Sequence, residues 1–255
     1  MCRWKRNATV GDMREASRWY SERIEQEVTL VRWGHWGTPV LIFPTAGGDA
    51  EEIERMHLVG ALGGLIDAGR IKVYSCDNLA GRAFAARTGS VEYRCALLNR
   101  FEAAVAEEVV PAIRTDCHDH GVEVVVTGAS LGAFMAVAVT ARYPWLFRAA
   151  VAMSGTYDVE GLMQIRGTED YYFSAPLSFL PNLAEGALLD QLRRRFFILA
   201  YGQGRWESPD ESWRMAGVLG SKGVPNRVDP WGPEHDHDWP TWRQMLPIYL
   251  DDLTR

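Results

Sequence analysis

Cysteine is scarce in this chain. Among 255 residues there are four, Cys2, Cys76, Cys95 and Cys117, and none forms the close-spaced pair of a zinc or redox motif. Four thiols in this length are not a disulfide framework, so a reducing compartment is expected. Long apolar runs are also missing. Nothing reaches transmembrane length, and the opening stretch MCRWKRNATVGDMREASRWY is basic but has no apolar centre of the kind a secretory signal needs. The expectation is a cytoplasmic protein with no membrane partner. Dense basic clusters are absent too. The formal net charge is −6, and the longest basic run, Arg193-Arg194-Arg195, reads as a solvated helix end. Nucleic-acid binding rests on clustered Lys and Arg, so it is not expected. The histidine-bearing segments CHDH (117–120) and EHDH (234–237) lack the i, i+4 spacing of a helical zinc site, so no metal is expected. There is no internal repeat and no low-complexity tract.

What is present is the material of a large core. Apolar residues make up 47% of the chain, enough to bury a single α/β domain without staples. Residues 1–21 are polar and read as an N-terminal arm, leaving 22–255 as the domain. EVTLVRWGHWGTPVLIFP reads as a hairpin or two neighbouring strands, because it is dense in β-branched and aromatic residues and punctuated by glycine. Residues 50–67 read as a helix. Residues 92–115 read as another, with Leu98, Phe101, Val105 and Val109 on one stripe and Pro111 disturbing its last turn. Short buried strands are expected at 71–76, 122–127, 149–153, 196–201 and 226–231, with helices at 131–142 and 239–253. Alternating strands and helices imply a mostly parallel sheet with helices on both faces. Residues 156–190 have no clear period and are rich in aromatics; a segment of this kind is either a substrate-shaping insertion or a packed excursion.

Gly128-Ala129-Ser130-Leu131-Gly132 is a G-x-S-x-G motif. Alone it is a weak signal, but a buried strand runs into it and a helix runs out, which is the setting of a nucleophile elbow. At such a turn the serine backbone is strained, and residues two positions away must be small. The plainer alternative is a helix-capping serine. If Ser130 is a nucleophile it needs a base later in the chain. Only His235 and His237 follow it, and His237, nearer the start of the last helix, is the stronger candidate. The acid should follow the strand at 196–201, in GQGRWESPDES. Glu207 is favoured over Asp210, because Asp210 and Glu211 read as first-turn helix residues. The oxyanion hole needs two N–H groups: one from Leu131, the other from Thr45 or Ala46 in the loop after Phe43. Tyr171, Tyr172 and Phe173 are candidates for an apolar wall around the substrate.

The segments GTPVLIFPTAGG, VVVTGASLGAF, AVAMSGTYD and WGPEHDHDWPTWRQMLPIYL resemble the putative esterase family that contains esterase D, the enterochelin esterases and the antigen 85 mycolyltransferases, and within it the stand-alone bacterial members. The resemblance spans residues 22–252. It implies the α/β-hydrolase fold, Ser130 as nucleophile, His237 as triad histidine, a small-molecule ester substrate, no cofactor and no required metal. One departure stands out: many relatives carry Asp at the position held here by Arg205, which puts the acid in question and leaves Glu207 as its nearest replacement. The expected reaction is hydrolysis of a carboxylic ester through an acyl-enzyme. Acyl transfer by the same residues, and a hydrolase-like binding protein without turnover, are the alternatives.

Overall fold

The computed structural model describes residues 14–160 and 168–255. Among the described residues, eight strands form one sheet: β1 (Arg14–Ser21), β2 (Gln26–Trp33), β3 (Thr38–Phe43), β4 (Ile71–Cys76), β5 (Val124–Ala129), β6 (Phe147–Met153), β7 (Phe196–Tyr201) and β8 (Asn226–Pro230). Their order across the sheet is β1-β2-β4-β3-β5-β6-β7-β8. The pairs β1–β2 and β2–β4 are antiparallel; every pair from β4 onward is parallel. This is the α/β-hydrolase fold.

Burial explains the arrangement. All six residues of β4 and all six of β5 are buried, as strands covered on both faces must be. Side chains alternate between two cores: Leu41, Phe43, Val124 and Val126 face one layer, Val40, Ile42 and Val125 the other. The first layer holds α1 (Val91–Ala104) and α2 (Leu131–Arg142), the second α5 (Trp239–Leu253). Between them in the chain lie α3 (Glu169–Ser174) and α4 (Pro209–Ser221). The stripe Leu98, Phe101, Val105, Val109 lies in the first core, and Trp242, Leu246 and Tyr249 lie in the second.

Four sequence expectations are corrected. Residues 14–21 are no arm: all eight pair with β2. The face of β1 turned inward carries Ser17 and Ser21, and Ser21 and Trp19 donate to Glu108. Its inward face thus has no apolar alternation to read. β2 and β3 are not neighbours, because the wholly buried β4 inserts between them. Residues 50–67 are three short helices, Glu52–Arg55, Leu58–Ala61 and Gly63–Asp67, rather than one. The helix over 92–115 is interrupted by a π-helical turn at Val105–Val109. Pro111 has no N–H to offer the Glu107 carbonyl, and a wider turn just before it absorbs the gap.

Candidate active site

Ser130 sits in the turn between β5 and α2 with φ 56° and ψ −121°, a region that ordinary side chains avoid. The turn is held by Ser130 N–H, which donates to the Met153 carbonyl at 3.0 Å. Its tightness accounts for the flanking glycines. A Cβ on Gly128 would overlap the Gly132 carbonyl, and one on Gly132 would come within 2.6 Å of the Phe43 and Pro44 oxygens. Ser130 starts α2 without capping it, since its hydroxyl accepts no helix N–H. The oxygen is therefore not spent on the helix end, where the macrodipole favours negative charge.

Met153 leads directly into Ser154, and there the second half of the site begins. Ser154 has φ 48° and donates its N–H to the Ala200 carbonyl at 2.7 Å. Its hydroxyl donates to Glu207 Oε1 at 2.5 Å and accepts from Trp242 Nε1 at 2.9 Å. The Glu207 side chain is 2% exposed, and its Oε2 lies 3.8 Å from His237 Nδ1. Trp242 also meets the His237 ring edge-on, at 5.3 Å between centroids. Asp238 caps α5 by accepting from Thr241 N–H, so the helix starts two residues after the histidine. Glu207, His237 and Ser154 are thus brought together. Among the described residues no hydrogen bond joins Ser130 Oγ to His237; such contacts are commonly long until substrate is bound.

The rival residues lie elsewhere. Asp210 is exposed in the first turn of α4 and makes no ion pair with a histidine among the described residues. Glu211 accepts from Tyr157 and Asp158 N–H, both at 2.8 Å, and so secures the loop after β6. His235 packs edge-on against Trp231, with Nδ1 3.4 Å from Glu234. Ser154 and Trp242 had no assigned part in the sequence reading of the site. A hydroxyl just past a buried strand is the available signal for Ser154, whereas Trp242 sits among apolar core residues and carries no such signal. Ser154→Ala leaves the buried Glu207 carboxylate short of one donor. It is expected to lower kcat about tenfold, on the scale of a lost charge-assisted hydrogen bond, with KM little changed. Steady-state kinetics on a chromogenic ester check this, and an unaltered kcat would remove Ser154 from the site.

Of the two loop candidates for the oxyanion hole, one is already engaged. Thr45 N–H donates to Glu52 Oε2 and its hydroxyl to Glu52 Oε1, both at 2.7 Å. The Thr45 expectation is therefore corrected: a carboxylate has reached its N–H first. The N–H groups of Ala46 and Leu131 donate to no described residue. Tyr171, Tyr172 and Phe173 do not form one wall. They are consecutive on α3, and only Tyr172 and Phe173 meet, edge-on at 5.1 Å between ring centroids, while Tyr171 turns into the core. Tyr171 is buried in the core, Tyr172 accepts from Asn182 Nδ2 at 3.2 Å, and Phe173 is 46% exposed. The start of the 156–190 segment is described to residue 160, and 161–167 lie outside the described residues.

A strained serine between a buried parallel strand and a helix, with a histidine and a buried carboxylate on the loops after the last two strands, defines an α/β hydrolase. A family model described as putative esterase matches residues 84–254, more than half of the chain. The chain belongs to this esterase family. Solved structures share the fold at low identity. A ferulic acid esterase is 15% identical with a TM-score of 0.71, covering 95% of this chain and 97% of that one. An S-formylglutathione hydrolase from Agrobacterium tumefaciens is 13% identical with a TM-score of 0.67, covering 97% and 95%. An enterobactin esterase from Shigella flexneri is 17% identical with a TM-score of 0.62, covering 99% and 61%. No curated protein is matched by sequence. Among the described residues, no helix is long and apolar enough to cross a membrane.

Proposed function

We propose that this protein hydrolyses small carboxylic esters through an acyl-enzyme on Ser130, with His237 as base and Glu207 as acid. The observation that carries this reading is the buried Glu207 carboxylate, held by Ser154 and facing His237 Nδ1. A carboxylate on Nδ1 keeps the proton on that nitrogen and leaves Nε2 free to accept one. Ser130 Oγ attacks the ester carbonyl as its proton passes to His237 Nε2, and Glu207 compensates the imidazolium. The tetrahedral oxyanion takes hydrogen bonds from the Leu131 and Ala46 N–H groups, at the positive end of α2. Collapse expels the alcohol, which receives the proton from His237. Water then attacks the acyl group by the same steps, releasing the acid and restoring Ser130.

The described part of the 156–190 segment, with Tyr172 half-buried and Phe173 exposed, contributes to the substrate rim in this reading. A cytoplasmic location is part of the same proposal, in keeping with the unpaired thiols of Cys76, Cys95 and Cys117. The reaction is tested by rapid mixing with 4-nitrophenyl acetate. The expected result is a burst of nitrophenol equal to the enzyme, together with an acetyl adduct on the peptide containing Ser130. Turnover with an adduct on another residue would overturn the assignment, and folded enzyme without turnover on any of a panel of esters would favour a binding protein.

A further inference from the structure

The proposed acid and base ride on two different loops, 202–208 after β7 and 231–238 after β8. Their mutual register decides whether Glu207 and His237 meet. Backbone bonds join the loops: Gly204 N–H to the His235 carbonyl at 2.9 Å, and His237 N–H to the Arg205 carbonyl at 3.0 Å. Glycine is required for this approach, since a Cβ on Gly202 or Gly204 would collide with the His235 carbonyl. Side chains then close the join. Asp236 Oδ1 accepts from Arg205 N–H at 2.7 Å, and its Oδ2 accepts from Arg205 Nε at 2.9 Å and Nη2 at 2.6 Å. Arg205 therefore bonds both residues at the turn, Asp236 with its N–H and guanidinium and His237 with its carbonyl. The Arg205 side chain is 81% exposed, on the solvent side of loops whose inner side holds the buried Glu207.

We infer that Arg205 and Asp236 form a clamp that positions His237 against Glu207, so that the residue standing where many relatives have Asp acts on the histidine rather than as its acid. The inference rests on the triad reading given above. An exposed ion pair alone is worth little. This one is different in geometry: two guanidinium N–H groups converge on Asp236 Oδ2 while the Arg205 backbone N–H holds Oδ1 of the same carboxylate. The Arg205 guanidinium, then its N–H, hold the Asp236 carboxyl below the usual carboxylate range. A depressed acid stays charged above its ordinary value and is lost only as pH falls through the lowered one. The clamp is thus closed throughout the neutral range in which an ester hydrolase using a neutral histidine works.

The test is steady-state kinetics and melting temperature for Asp236→Ala, Arg205→Ala and Arg205→Lys, with His237→Ala as reference. Asp236→Ala removes both contacts and should lower kcat on the order of tenfold with KM within about twofold, because a loosened base costs orientation rather than binding. Arg205→Ala keeps the backbone donor and should lose less. Arg205→Lys should recover only part of that loss, because an ammonium cannot reproduce the fork. This graded order at constant KM is what a merely structural ion pair does not produce. Wild-type kcat in Asp236→Ala, or in both Arg205 variants should Asp236→Ala not fold, would overturn the clamp. If His237→Ala itself remains active, the triad reading falls instead.

Discussion

Ser130→Ala removes ester turnover, with kcat falling on the order of 10⁶-fold, the scale seen when a catalytic serine is deleted. The same change abolishes labelling by a fluorophosphonate. The expectation follows from the turn itself. Ser130 is held at φ 56° between β5 and α2, uncapped and half-buried, and the Leu131 N–H beside it has no acceptor among the described residues. Alanine keeps the backbone and the helix end and removes only the attacking oxygen, so folding should be unaffected. Intact-mass and peptide analysis of the wild type should find a single adduct, on Ser130. An adduct on a different serine, or labelling that survives in Ser130→Ala, would sink the nucleophile assignment.

Glu207→Gln is expected to cut kcat by roughly 10²- to 10⁴-fold, as neutral isosteres of triad acids do. The neighbours dictate the reason. Ser154 donates to one oxygen of this side chain, so glutamine must turn its carbonyl there and present its NH₂ to His237 Nδ1. A donor at that nitrogen favours the tautomer with the proton on Nε2, where it faces the serine and cannot accept. The imidazolium formed during attack also loses its counter-charge. Asp210→Asn, in an exposed first helical turn, should leave kcat within about twofold, since surface changes away from the site are small. Kinetics on one ester for both variants decide the matter: a crippled Asp210→Asn with a healthy Glu207→Gln would move the acid to Asp210.

The Arg205 departure illustrates why a family pattern cannot be carried over position by position without geometry. The expected Asp position is exposed on the loop and engaged with Asp236, while the carboxylate that reaches the histidine comes two residues later and is buried. Gly202 and Gly204 let the two loops touch, which brings Glu207 Oε2 to 3.8 Å from His237 Nδ1.

Much of this was legible in the chain itself, and for local reasons. The runs VVVTGA and FFILAY are strands because buried parallel strands are covered on both faces and so carry no charged residue and few polar ones, which leaves a readable signature. The elbow was legible as a strand, a G-x-S-x-G turn and a helix in direct succession; the clash that demands glycine at 128 is set within those five residues, whereas the one at 132 comes from the Phe43 and Pro44 oxygens. The helices 131–142 and 239–253 matched their apolar composition, and Asp238 caps the second of them. Tertiary structure decided what depended on distant partners. The polar β1 is a strand only because β2 and Glu108 satisfy it. β4 separates β2 from β3, a matter of competition for the buried centre of the sheet that no local pattern records. Thr45 carries the right N–H in the right loop, yet Glu52, seven residues on, folds back to occupy it. Ser154 and Trp242 are 88 residues apart, yet Trp242 Nε1 donates to the hydroxyl that Ser154 in turn donates to Glu207. Periodicity and steric minima act over a few residues and can be read in order along a chain; hydrogen-bond satisfaction in a buried site is a contest among groups brought together only by folding.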